Sequence, residues 1–307
     1  MLKEIENPEK VAEAQPLPGQ IKRALFNDYG LRAGWRILIF AVLFRLVFLP
    51  LVFAAVRPVR GRIESAVGDI SEALVLICVL LATWIMARIE RRSWLDYGLR
   101  DRSAPRHFLS GACVGLVSLT LMLAAMRAAQ DFYFGPQAMR GSALAAAAAL
   151  SFVGFLIVAL LEENLFRGYA FYTLIDGVGF WPAAVVISIV FAAAHVSNPG
   201  EAKVGIAAVF AFGMMLAFSI WRTGTLLWGI GFHLLWDYAE TFIYGVPDSG
   251  FVSPQHLLSA KLTGPAWITG GSVGPEGSWF IFLVLALIAL AIHLIYPKPT
   301  FRLPARK

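Results

Sequence analysis

Long uncharged runs alternate with short polar segments along most of this chain. Eight of the runs approach the roughly 20 residues that an α-helix needs to cross the hydrocarbon core of a membrane. Their spacing predicts an all-α fold, a polytopic membrane helix bundle with about eight transmembrane helices. The runs are residues 37–56, 73–87, 108–126, 141–161, 180–200, 204–221, 223–246 and 278–296.

Composition supports a membrane protein, because 58% of the residues are hydrophobic and only 15% are charged. A soluble domain typically carries about 25% charged residues. The net charge of +6 is explained by loops that face anionic lipids, so membrane lipids are expected partners and nucleic acid is not. Cys78 and Cys113 both fall in predicted spans, which favours a packing role over a disulfide or a metal site.

The chain is predicted to form one integral membrane domain, residues 33–297, between two polar tails. The tails are residues 1–32, in which no cleaved signal peptide is evident, and the basic segment 298–307. Lysine and arginine are more frequent in the loops on the side of the membrane that holds the N-terminus than in those on the opposite side. This favours cytoplasmic positions for both termini. We expect a multi-pass protein of a bacterial plasma membrane, with an oligomeric state that the sequence leaves open.

The run 141–161 ends in an unusual group of charges, Glu162, Glu163 and Arg167. An ionised side chain at the centre of a membrane helix costs at least ~2.5–3.5 kcal/mol, so such a group requires partners or a function. Glu163 and Arg167 are four residues apart and therefore share one helix face. The pattern predicts a functional site inside the membrane.

Three polar residues on other predicted helices lie at a similar depth. Counting 1.5 Å per residue from the cytoplasmic helix ends places Glu163, His195, His233 and Asp237 at roughly 17–22 Å. His233 and Asp237, four residues apart, share a helix face. Carboxylates and imidazoles in a partly dry cavity can exchange protons near neutral pH. We therefore predict that these groups converge on one catalytic site.

Three motifs, in order along the chain, resemble those of a known family. Residues 162–167 match EExxxR, residues 191–195 match FxxxH, and residues 233–237 match HxxxN/D. Together they look like the motifs of the CAAX prenyl protease and bacteriocin-processing family of intramembrane proteases, often called CPBP or Abi. The resemblance covers roughly residues 91–242, since residues 92–99 also look like the short loop that often precedes the family's core.

The resemblance implies a glutamate-dependent endopeptidase that acts on a membrane-associated protein or peptide. Glu162, with His195, would polarise a water molecule that attacks the scissile carbonyl. His233 and Asp237 would stabilise the oxyanion that this attack creates. No cofactor and no metal are expected, and whether the substrate is prenylated stays open.

The supporting residues in this scheme are Glu163 and Arg167, which would shape the site and balance its charge. The chain departs from the prenyl proteases at Asp237, where they have asparagine. An ionised aspartate cannot donate a hydrogen bond to an oxyanion. Asp237 must therefore either be neutral and donate, or accept a bond from His233 and fix the tautomer of that ring.

Other functions remain compatible with the same residues. A metalloprotease would bind zinc through His195, His233 and one of Glu162 or Asp237, although the chain lacks an HExxH motif. A non-catalytic immunity or scaffold protein would keep the helices and tolerate loss of Glu162. An ion-coupled transporter could use the same groups as a proton relay, but paired half-helices and inverted repeats are not apparent.

Two more charges fall inside the first two predicted spans. Arg45 and Glu72 are both placed roughly 18 Å from the cytoplasmic edge by the same count of residues. Each would otherwise be an unpaired charge in lipid, so we predict an ion pair between them.

Overall fold

Helices account for most of the chain in a computed structural model that describes residues 19–27, 30–67, 69–200 and 203–303. Residues 1–18 and 304–307 of the two predicted tails lie outside these ranges. The helices are α1 (Gly19–Leu25), α2 (Ala33–Val42), α3 (Leu49–Val56), α4 (Arg60–Val67), α5 (Ser71–Ile89), α6 (Ala104–Ala128), α7 (Gly141–Arg167), α8 (Tyr169–Val178), α9 (Phe180–His195), α10 (Lys203–Thr223), α11 (Leu227–Asp237), α12 (Ala266–Thr269) and α13 (Phe280–Ile295). Short π-helices, Leu43–Phe48 and Tyr238–Tyr244, connect α2 to α3 and extend α11.

Five described helices are long and apolar enough to cross a membrane, which confirms the predicted helical membrane architecture. Two further apolar helices, α9 and α13, are shorter than the spans that were predicted for them. The predicted span 223–246 is divided between α11 and the π-helix that follows it. The count of eight spans and the cytoplasmic termini stay predictions. The five long helices are Ala33–Val56, Ser71–Ile89, Ala104–Ala128, Gly141–Val178 and Lys203–Thr223.

Helix α11 lies against α6 at a distance that only glycine allows. A Cβ atom added to Gly111 would lie 1.9 Å from the carbonyl oxygen of Trp228, and one added to Gly115 would lie 2.4 Å from that of Phe232. Small residues four apart are the usual means by which membrane helices bring their backbones together. This contact fixes α11 in the bundle interior, where Trp228, Phe232 and Trp236 are almost fully buried.

A long loop, residues 245–279, folds back over the bundle on the side where α11 ends. Two short antiparallel strand pairs occur among the described residues: β1 (Phe26–Asn27) with β2 (Gly30–Leu31), and β3 (Phe132–Tyr133) with β4 (Lys261–Leu262). The second pair ties the long loop to the segment that follows α6. Gly274 has φ +104°, and a Cβ atom there would lie 1.9 Å from the carbonyl oxygen of Pro247. The tight turn brings the two ends of the loop together beside α11.

The predicted ion pair between Arg45 and Glu72 is wrong, because neither side chain belongs to an ion pair among the described residues. Buried charge in the first helix is balanced elsewhere. Arg36 lies 2.6 Å from Glu90, which follows the end of α5, and 2.9 Å from Asp176 in α8. Arg45 belongs to the π-helix Leu43–Phe48, where the regular α-helical spacing used for the prediction does not apply.

Candidate active site

A cavity of about 550 Å³ lies among α7, α9, α10 and α11. The four predicted catalytic residues all line it: Glu162, His195, His233 and Asp237. Of the four residues that the depth count placed in one layer, His195, His233 and Asp237 line the cavity, and Glu163 lies 3.4 Å from His233. The rest of the wall is largely apolar and includes Phe155, Val158, Leu161, Leu165, Phe166, Phe191, Val209, Phe212, Leu216 and Phe232.

His233 occupies the centre of the polar group. Its Nε2 lies 3.7 Å from Glu162 Oε2 and 3.2 Å from Asp237 Oδ2, while its Nδ1 lies 3.4 Å from Glu163 Oε1. The side chain of Glu162 is 24% exposed, whereas that of Glu163 is 1% exposed. Glu162 is thus the member of the glutamate pair that a water molecule or substrate in the cavity can reach.

Glu163 and Arg167 form a buried ion pair, with Nη1 of the arginine 2.7 Å from Oε1 of the glutamate. The guanidinium also lies over the ring of Phe191, 4.3 Å from its centroid. A Cβ atom at Gly229 would come within 3.0 Å of Glu163 Oε2, so α11 can approach this pair only through a glycine. The predicted supporting residues therefore hold the deeper end of the site.

His195 is the last residue of α9, and its ring is oriented by its own helix. Its Nδ1 lies 2.8 Å from the carbonyl oxygen of Phe191. Because that oxygen can only accept, Nδ1 carries a proton, and Nε2 of the neutral ring has a free lone pair. His195 and Glu162 line the same cavity.

Two carboxylates from the long loop complete the site and were not found from the sequence. Asp248 and Glu276 line the cavity. One carboxylate oxygen from each of Asp237, Asp248 and Glu276 lies within 4.8 Å of the other two. Trp236 Nε1 donates to Glu276 Oε1 at 2.9 Å, and Ser249 Oγ donates to Oε2 at 2.9 Å.

The pKa values of these two loop carboxylates are raised because the groups are buried beside another carboxylate. Burial, together with the charge of Asp237, raises the pKa of Glu276 to about 7. The same two causes raise the pKa of Asp248 well above its usual range. Asp248 and Glu276 are the acidic residues of a loop that is otherwise almost uncharged. Their isolation in this loop is the feature of the sequence that could have indicated a role for them.

A helical membrane bundle with paired glutamates and two histidines around an apolar cavity has the groups that general acid–base hydrolysis requires. Residues 144–239 match the model of a family described as type II CAAX prenyl endopeptidase, Rce1-like. The match confirms the family resemblance drawn from the three motifs. It contains all six predicted site residues and ends before Asp248 and Glu276. No curated protein matches the chain.

Proposed function

We propose that this protein is an intramembrane endopeptidase that hydrolyses a peptide bond in a membrane-associated protein or peptide, in a bacterial plasma membrane. The observation that carries the proposal is the position of Glu162. It is the accessible carboxylate of the glutamate pair, it faces His233 across 3.7 Å, and it lies in a cavity inside the region that matches the endopeptidase family.

Glu162 is the proposed general base. A water molecule between Glu162 and the substrate would give its proton to the carboxylate as its oxygen attacks the scissile carbonyl. The lone pair of His195 Nε2 would accept the second hydrogen bond of that water and hold it in line for attack. Glu162 would then pass the proton to the leaving amine, which completes the hydrolysis.

His233 is the proposed oxyanion donor. Its Nδ1 lies 3.4 Å from Glu163 Oε1, and its Nε2 lies beside Glu162 and Asp237, which line the cavity. Asp237 Oδ2, at 3.2 Å from Nε2, accepts the N–H before substrate binds. The same N–H would then turn to the oxygen on which negative charge develops, where one donor typically contributes 10²–10³-fold to the rate.

A glutamic mechanism is favoured over a zinc mechanism by the positions of the two histidines. Among the described residues, the group of candidate ligand atoms compact enough for one metal ion consists of Asp237, Asp248 and Glu276. His195 and His233 do not belong to that group. Catalytic zinc sites usually use nitrogen ligands, and three carboxylates suit a different class of ion.

The apolar wall of the cavity supports a hydrophobic substrate segment, with the peptide bond placed between Glu162 and His233.

The proposal is tested by comparing membrane peptides from cells that carry wild type, Glu162→Ala or the control Glu64→Ala. Glu64 lies in α4 and pairs with Arg60 at the surface. Uncleaved substrates should accumulate with Glu162→Ala alone, at equal protein abundance. Identical peptide profiles for all three would contradict a protease.

A further inference from the structure

We propose that Asp237, Asp248 and Glu276 form a binding site for a hard divalent cation of the calcium class, where the long loop meets α11. The proposed peptide hydrolysis does not require this ion, and two of the three ligands lie outside the family match. This proposal departs from the sequence-based expectation of a metal-free protein, which stays a prediction.

The spacing of the three carboxylates suits a single ion. One oxygen from each lies within 4.8 Å of the others. Calcium binds oxygen at 2.3–2.6 Å, so two ligands on opposite sides of the ion are about 5 Å apart. All three ligands are carboxylate oxygens, which select calcium, magnesium or manganese over zinc. Calcium also tolerates irregular coordination and ligands contributed by loops, whereas magnesium requires nearly ideal octahedral geometry.

A fourth carboxylate points to the same ligand independently. Glu240 is completely buried, and neither of its oxygens has a hydrogen-bond partner among the described residues. Its electrostatic neighbours are Glu276, Asp248 and Asp237, so its carboxyl group faces the cluster. Trp236 also borders it, but the indole N–H donates to Glu276. A buried, unpartnered carboxylate is costly unless something charged or proton-donating completes it.

The surrounding side chains do not supply the missing positive charge. No lysine or arginine lines the described cavity. The groups that hydrogen-bond to the cluster are neutral: Thr241 donates to Asp248 at 3.1 Å, and Ser249 donates to Glu276. His233 is already shared among Glu162, Glu163 and Asp237. A divalent cation would balance the cluster and fasten both ends of the loop to α11.

Calcium titration of the purified full-length protein, stripped with chelator and measured by isothermal calorimetry, tests the proposal. We expect one site with a Kd of about 10⁻⁵–10⁻³ M, from the weakest sensor sites to the extracellular calcium modules. Asp248→Asn and Glu276→Gln should each weaken binding at least tenfold. The control Asp69→Asn, which changes an exposed carboxylate in another loop, should bind as wild type does.

Absence of calcium binding to folded wild-type protein up to about 10 mM, tenfold above the weakest common calcium sites, would overturn the proposal. So would binding that survives both substitutions, or zinc binding that excludes calcium and depends on His195. Melting temperatures of all variants establish that they are folded. A Glu162→Gln protein that binds calcium but does not hydrolyse peptide separates this site from the proposed catalytic function.

Discussion

The two ends of the cavity differ in how the negative charge of their buried carboxylates is balanced. At the deep end, Glu163 is paired with Arg167, and His233 lies among the carboxylates. At the loop end, Asp248 and Glu276 accept hydrogen bonds from neutral donors only, and Asp237, which lies beside them, shares His233 with the deep end. The deep end is built from helices within the family match, whereas the loop end lies largely beyond it. The deep end, where we propose catalysis, is therefore balanced in charge, whereas the carboxylates of the loop end need a cation or protons.

The largest effect is expected from breaking the charge balance of the deep end. Arg167→Met leaves Glu163 buried without its counter-charge, which typically costs ~3–5 kcal/mol of folding free energy. The matched control is Arg100→Met, because Arg100 forms an ion pair of the same spacing with Asp96 but is 65% exposed. An exposed pair contributes about 0–1 kcal/mol. Equal melting temperatures for the two variants would show that burial does not decide the strength of these pairs.

The next effect concerns Asp237, which belongs to both ends. Asp237→Ala should lower peptide hydrolysis by roughly 10²–10³-fold, since His233 loses the partner that orients its N–H, and the oxyanion is then poorly stabilised. Asp237→Asn should stay within about tenfold of wild type, because an amide oxygen still accepts from His233. The same substitution should weaken calcium binding at least tenfold, since an amide replaces a charged ligand.

Steady-state kinetics and calcium titration on the same two preparations measure both effects. If Asp237→Asn is as inactive as Asp237→Ala, hydrolysis needs the carboxylate itself. If Asp237→Asn keeps full calcium affinity, the cation site does not include this residue.

The smallest effect is a dependence of stability on pH at the loop end. The pKa of Glu276 is raised to about 7 in the folded protein from an ordinary value near 4.5. Because the pKa is raised, the folded state binds this proton more tightly than the unfolded state does. Protonation of Glu276 therefore stabilises the folded protein fully below about pH 4.5, and this contribution is lost as the pH rises towards 7. Without divalent cations, the melting temperature should fall by a few degrees between pH 5 and pH 8.

Glu276→Gln cannot titrate and should flatten this pH profile, whereas the surface control Glu64→Gln should not. Calcium at saturating concentration should also flatten it, because the bound ion replaces the proton. A wild-type melting temperature that rises steadily from pH 5 to pH 8 would contradict the raised pKa of Glu276.

Hydropathy and helical spacing predicted the deep end well. Uncharged runs located the helices, and counting residues along them placed Glu163, His195, His233 and Asp237 in one layer. The last three line the cavity, as does Glu162 beside Glu163. The same count failed for Arg45, since it lies in the π-helix Leu43–Phe48 and not in a regular α-helix. Predictions from spacing hold where the backbone is regular.

The loop end could not be predicted by the same means. Asp248 and Glu276 belong to a segment without helical periodicity, and their positions depend on tight turns such as that at Gly274. Glu240 gave a weak signal, because it follows Asp237 by three residues and a helix places such residues on one face. Only the folded loop shows that it faces the cluster.

The central claim is that Glu162 performs the chemistry at the charge-balanced end. It is tested most directly by the turnover of purified Glu162→Gln on a membrane-peptide substrate, measured beside its calcium affinity. Glutamine keeps the shape of the side chain but cannot accept the proton, so turnover should fall at least ~10²-fold, with folding and calcium binding unchanged. Near-normal turnover by this variant would contradict the account.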